Sequence, residues 1–405
     1  MNQAPDPVFS AFLDLADWMR GDGGESLKIV LFGGILGSIY SILQFIFSPI
    51  WGRLSDRIGR RKVLLLTCSG NLLGYVVWLF SASFSGFILS RVITGAMGGN
   101  ISVASAAMAD STSDADRAKG MGMIGAGIGL GFIFGPLLGG VLSGIELVDL
   151  FPVLSGVSFT IFSTSALVSI LVAFLNLLFV ILFLKETYSK QKNEESRESG
   201  SDTPIYPIFL ILKEKYRGLL LISGIYFFFI YSFSGFEFTL NFFLNEEFHF
   251  SPKQIGFTFL YIGVIIILIQ GGLIRRISGK VPEKKIAFSG LGLLLVGYLG
   301  LVFHFEMKVL FFIGLGLLAV GSALLHPSLS SLASLGAKRE EQGLSLGIFR
   351  GFGSLARGLS PISFAFLYFQ TSAAMVFLSG IGFAVLVIGL LTIPSRKISA
   401  RTEIL

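Results

Sequence analysis

Eleven stretches of about 20 mostly apolar residues, each long enough to cross a bilayer as a helix, recur along this 405-residue chain. They lie near 29–51, 63–83, 85–109, 120–143, 158–184, 218–244, 254–274, 285–304, 309–333, 343–369 and 372–393. Lipid offers no partners to stray backbone groups, so this recurrence restricts the fold to a bundle of membrane helices. Composition agrees, with 53% of residues hydrophobic and 14% charged, against about a quarter charged in a soluble domain. Short connections between several spans force antiparallel neighbours. The expected fold class is an all-α polytopic membrane protein, integral to the bilayer.

The basic residues assign the sides. Alternate connections hold Arg53, Arg57, Arg60, Arg61 and Lys62; Arg117 and Lys119; the seven of 185–217; Arg275, Arg276, Lys280, Lys284 and Lys285; Lys338 and Arg339; and Arg396, Lys397 and Arg401. These are 24 of the 31 Lys and Arg, whereas the opposite face holds only Arg20, Lys28, Lys253 and Lys308. The positive-inside rule makes the first set and the C-terminus cytoplasmic, in the inner membrane if the source is bacterial. The formal charge of +6 therefore reflects topology and not a nucleic-acid partner. Cys68, the only cysteine, excludes an intrachain disulfide or a cysteine metal cluster, and no cofactor is expected.

Eleven spans with a cytoplasmic C-terminus put the N-terminus outside. Residues 1–26 lack the basic start and continuous apolar core of a signal peptide, and 1–28 is read as an external segment. Asp6, Asp14, Asp17, Asp22 and Glu25 instead accompany Phe9, Phe12, Leu13, Ala16 and Met19 at helical spacing, the pattern of an external amphipathic helix. The polar stretch 185–217 reads as a cytoplasmic linker. It divides five spans in 29–184 from six in 218–393, with a tail at 394–405. Gly52 and Gly59 in the first half are echoed by Gly272 and Gly279, 220 residues later. Parallel repeats of this kind occur in transporters whose site lies between two bundles. Five plus six is then read as six plus six, with a further membrane helix expected before Met1.

The sharpest motif is Gly52-Arg-Leu-Ser-Asp56-Arg57-Ile-Gly59-Arg60-Arg61-Lys62. Glycines allow tight turns and close packing at a membrane face, and Asp56 can bridge to arginines or to a neighbouring helix N-terminus. The sequence closely resembles the signature between helices 2 and 3 of the major facilitator superfamily. In that family, the resemblance implies, Gly52, Asp56, Arg57, Gly59, Arg60 and Arg61 form a cytoplasmic latch between two pseudo-symmetric bundles, here with eleven helices visible of twelve. The second copy has Arg276 where Asp56 would align.

Two further motifs extend the likeness. Gly122, Gly131, Gly135, Pro136, Gly139 and Gly140 resemble the helix 5 motif of the antiporters in that superfamily. Gly127, Gly131, Gly135 and Gly139 recur every four residues, a smooth face that permits close helix contact, and Pro136 adds a bend. Arg91-x3-Gly95 is similar to the helix 4 motif, which implies a part for Arg91 in proton coupling; a structural ion pair is the alternative. Together these motifs resemble the tetracycline-resistance-like drug:proton antiporters.

Glu237 stands within FFFIYSFSGFEFTLNFFL. A lone carboxylate there is costly to hold ionised and suits reversible proton binding; pairing with Arg350 or Arg357 is the competing role. Those two arginines, seven residues apart, share a helix face and could receive an anionic substrate. Gln44, Asn100 and Asn241, with Arg350 and Arg357, are the candidate cavity residues, and His326 precedes Pro327, where it could satisfy a broken backbone. Gly351-Phe-Gly353-Ser-Leu-Ala356 fits a dinucleotide fingerprint but has no strand before it. The expected function is proton-coupled efflux of a drug-like or organic-ion small molecule by a monomer; a nutrient symporter and an inactive fragment are the alternatives. No catalytic cluster supports an enzyme.

Overall fold

The computed structural model describes residues 6–20, 25–81, 83–142, 145, 147, 163–187, 217–303, 307–337 and 341–393. Each predicted span is helical over most of its described residues, that at 85–109 in two helices; residues 82, 143, 158–162 and 304 of the other spans lie outside the described residues. The helices are α1 (Pro7–Arg20), α2 (Glu25–Ile58), α3 (Arg60–Leu79), α4 (Phe84–Met97), α5 (Asn100–Asp110), α6 (Arg117–Leu142) and α7 (Ser163–Phe183). After the linker come α8 (Arg217–Glu246), α9 (Pro252–Leu268), α10 (Glu283–Val302), α11 (Lys308–Leu335), α12 (Gln342–Gln370) and α13 (Ala373–Thr392). Nine helical stretches among the described residues are long and apolar enough to cross a membrane. Helices α6 and α12 match predicted spans but stand outside those nine, α12 carrying Arg350 and Arg357. The linker 185–217 and the tail 394–405 lie almost wholly outside the described residues.

Two spans depart from a plain helix, each for a local reason. The span predicted at 85–109 breaks at Gly98 and Gly99 because α2 crosses there. A Cβ on Gly99 would stand 2.8 Å from the Ser48 nitrogen, and Gln44 Nε2 donates to the Gly98 carbonyl at 2.8 Å. The span at 254–274 passes from α9 into a π turn, Ile269–Ile274, before one last short stretch, Arg275–Ile277. Such turns recur at functional sites.

The bundles meet along two antiparallel seams. In the first, α2 runs against α12, and their approach is close enough to exclude side chains. Gly52 and Gly343 face each other so directly that a Cβ on either would collide with the other's carbonyl oxygen. A Cβ on Gly347 would lie 2.7 Å from the Ser48 carbonyl oxygen, and one on Gly351 3.1 Å from that of Phe45. In the second seam α6 meets α9 and its π turn: Gly122 faces Ile274, Gly125 faces Gln270 and Gly129 faces Ile266. The second bundle has an aromatic core, in which Phe243 stacks on Phe311 at 5.1 Å and Phe236 meets Tyr298 edge-on at 5.7 Å.

Helix α1 lies across the starts of α2 and α4. Phe9 and Phe12 make edge contacts with Phe32 and Phe84, while Lys28 pairs with Asp17 at 3.3 Å. Asp6 caps two helices at once: its carboxylate accepts from Val8 N in α1 at 3.0 Å and from Ser85 N and Oγ in α4 at 2.9 and 2.7 Å. The Ser85 N–H above all, then the Ser85 hydroxyl, holds the Asp6 carboxyl below its ordinary value of 3.8. A carboxyl lowered by folding contributes fully above its ordinary value and loses that contribution as pH falls through the lower, folded-state value. The docking of α1 therefore draws on Asp6 at neutral pH. Asp6→Ala should accelerate amide hydrogen exchange in α1 and in the first turn of α4, leaving the bundle cores unchanged.

Candidate functional site

A cavity of about 740 Å³, counted with its mouth, lies between the two bundles. Gly125, Ile128 and Gly129 of α6 form its wall on the first bundle. The second bundle supplies Phe233, Ser234 and Glu237 from α8, Phe259 and Ile262 from α9, Gln270 from the π turn, Ser322 and His326 from α11, and Arg357 from α12. The lining is mostly apolar with a few polar groups, the usual make-up of a small-molecule site. On α8, Phe236, Leu240 and Phe243 turn into the bundle core. Glu237 is rotated away from them by one residue and shares the cavity face with Ile230, Phe233 and Ser234, which are seven, four and three positions earlier on one helical face.

Glu237 forms no ion pair or hydrogen bond among the described residues, and Arg357 lines the same cavity without reaching it. Arg357 Nη2 instead donates to Ser354 Oγ at 3.3 Å, and Ser354 donates to Gln44 Oε1 at 2.6 Å. Gln44 thus stands behind Arg357 and joins α2 to α12. Arg350, only 1% exposed, is held deeper, donating to His326 Nε2 at 3.2 Å, to Ser330 Oγ at 3.3 Å and to Tyr226 Oη at 3.4 Å. Tyr226 Oη also meets His326 Nε2 at 2.8 Å. Guanidinium only donates, so Nε2 is the acceptor and this network assigns the ring proton to Nδ1. His326 is committed to this network and not to the backbone broken by Pro327.

The side read as cytoplasmic is closed by charge and by backbone contact. Asp56 accepts from the backbone N–H groups of Gly343 and Leu344 at 2.9 and 2.8 Å, where the N-terminus of α12 carries its partial positive charge. Arg60, fully buried, donates to Asp56, to Ser55 Oγ at 2.7 Å and to Asp110 Oδ2 at 2.9 Å. Glu186 accepts from the Arg60 backbone at 2.9 Å and fills the space a Cβ would take at Gly59, whose φ is +103°. Arg61 reaches the Ile181 carbonyl, while Arg57 is exposed. The second-half loop meets the first bundle without an acid: Ser278 donates to the Ala115 carbonyl and accepts from Lys119 N, each at 3.2 Å.

Comparison with known proteins decides the family. The model of the Major Facilitator Superfamily matches residues 29–361. The chain belongs to the Major Facilitator Superfamily. Mouse (Mus musculus) major facilitator superfamily domain-containing protein 10 is 33% identical over 395 residues, covering 92% of this chain and 81% of its own. The class B tetracycline resistance protein of Escherichia coli is 29% identical over 336 residues, covering 83% and 78%. The crystal structure of the human organic anion transporter MFSD10 (TETRAN) aligns with a TM-score of 0.81 at 30% identity, covering 96% of this chain and 91% of that one. This chain is accordingly an integral multi-pass membrane transporter of the superfamily, not an enzyme.

Within this superfamily fold the structure brings some predicted site residues together and separates others. Glu237 and Arg357 share the cavity. Gln44 and Arg350 lie behind its wall; Asn241 bonds the Phe238 carbonyl of its own helix, and Asn100 faces Cys68. Arg91 does not line Glu237's cavity; it lies over the rings of Phe87 and Trp78, 4.8 and 5.2 Å from their centroids, a cation–π contact. The expected glycine face of α6 requires a correction. Among the described residues, a Cβ added at Gly127, Gly131 or Gly135 would meet no atom within 4 Å, whereas one at Gly122, Gly125 or Gly129 would meet the facing helix. A four-residue repeat does not fix which way a helix is turned. Pro136, Gly139 and Gly140 continue α6. Sequence reasoning missed Tyr226, Glu186 and Ser278; only the chain position of Ser278, next to Gly279 of the repeated loop, offered a signal.

Proposed function

We propose that this chain is a proton-coupled secondary transporter that exports organic anions by alternating access through the inter-bundle cavity. The observation that carries this reading is the placement of Glu237, an unpaired carboxylate on the wall that also presents Arg357. A carboxylate in such a setting binds and releases a proton as access alternates, and Arg357, with Arg350 behind it, favours an anionic substrate. The two relatives support the reading from different directions: one is an organic anion transporter, the other confers tetracycline resistance. The glycine seams let the bundles slide or part without unpacking side chains.

The test is expression in efflux-deficient cells loaded with a carboxylated fluorescein. Cells carrying the chain should empty the dye faster than vector controls, and a protonophore should remove the difference. Equal retention in both strains, with the protein in the membrane, rejects export of this anion class.

A further inference from the structure

We infer that the outward face of α1 is a lipid-binding surface that rests in the headgroup region of the outer leaflet. The helix has two apolar faces. One, through Phe12, Ala16 and Met19, is covered by α2 and its neighbours, and Ala16 is completely buried. The other carries Leu15 at 42% exposure and Trp18 at 79%. These two, with exposed Ala11, stand at intervals of four and three, a single stripe on the helix.

The occupant follows from where α1 sits. It packs on the first turns of α2 and on Phe84 at the start of α4; α2, and α4 together with α5, are long and apolar enough to span. The stripe thus stands at the ends of spanning helices whose own outer side chains are exposed as lipid-facing ones are, Phe80 at the end of α3 by 60% and Leu89 on α4 by 53%. Tryptophan is enriched at that level because its ring is apolar and its N–H polar. Flanking Asp14 and exposed Asp17 give the helix an acidic edge. Attachment then comes from burial of the apolar stripe and not from attraction to anionic lipid, unlike the basic helices that bind charged surfaces. Held by Asp6 at one end and by Asp17–Lys28 at the other, α1 acts as a strap between the bilayer surface and the first bundle.

The chain has three tryptophans, which makes the test direct. Full-length Trp51→Phe/Trp78→Phe protein in phosphatidylcholine liposomes reports Trp18 alone. Its emission should be lost to lipids brominated near the headgroup more than to lipids brominated at the chain ends, with iodide in water having little effect. Adding anionic lipid should not strengthen the quenching. Trp51 donates to the Ala96 carbonyl, so a second variant guards against misfolding: Trp18→Cys with Cys68→Ser, spin-labelled, in which oxygen should relax the label more than a water-soluble nickel chelate. Strong iodide or nickel access would show the stripe in water and overturn the inference. Protection from both aqueous and lipid quenchers would show a protein surface over it, such as a second copy, and would overturn it equally.

Discussion

Glu237→Gln is expected to abolish proton-driven transport while leaving a folded protein that still exchanges substrate for substrate. Glutamine keeps the size and the polarity of the side chain but cannot carry a proton between the two sides. Net transport needs the carrier to return in a different protonation state, whereas exchange at equal pH does not. In proteoliposomes the variant should fall to the level of empty liposomes under an imposed pH gradient, with counterflow retained. Loss of counterflow together with net transport would mean that Glu237 contacts substrate and not only the proton. Normal gradient-driven transport would remove it from the mechanism. Arg357→Gln should behave differently. Its effect should fall on the apparent affinity for anions, because Arg357 lines the same cavity without pairing to Glu237.

The second large effect belongs to the cytoplasmic closure. Asp56→Ala deletes the acceptor for two backbone N–H groups of α12 and leaves Arg60 buried with less compensation. Breaking a buried ion pair by removing one partner costs about 3–5 kcal/mol. Part of that loss should appear as a shift in population, because Asp56 joins the bundles only while this side is closed. A thiol at position 343 (Gly343→Cys with Cys68→Ser) would be too crowded to use as a reporter, since Gly52 faces it. A cysteine on the cavity wall, Ser234→Cys with Cys68→Ser, replaces a side chain of similar size and should react faster with a cytoplasmic maleimide when Asp56→Ala is added. Unchanged reactivity with lowered thermal stability would restrict Asp56 to a structural role.

Much of this was legible in the sequence because lipid allows few solutions. The length of the apolar spans gave the helices, while the cytoplasmic reading of one face rests on the asymmetry of Lys and Arg alone. Asp56 and Arg60 could be read as a cluster because a short loop holds them near one another in the chain. The helix N-terminus proposed as one partner for Asp56 is there in the structure, 287 residues away at Gly343. What was not legible is rotation about helix axes. Nothing in α6 alone distinguishes the face of Gly122, Gly125 and Gly129 from that of Gly127, Gly131 and Gly135; the packed face is set by Ile266, Gln270 and Ile274 across the seam. The same holds for Arg350. Its partners Tyr226, His326 and Ser330 come from other helices, and no spacing within one span reveals them. Gln44 and Asn100 were reasonable candidates as in-span polar groups, but each finds a bonding partner on a crossing helix.

The most direct measurement uses the purified chain in liposomes with an acidic lumen and a carboxylated fluorescein outside. A weak acid crossing passively gathers on the alkaline side, so accumulation in the acidic lumen requires protons to leave in exchange. Such accumulation is expected, abolished by a protonophore and by Glu237→Gln. Identical dye distribution in liposomes with and without the protein would contradict proton-coupled export.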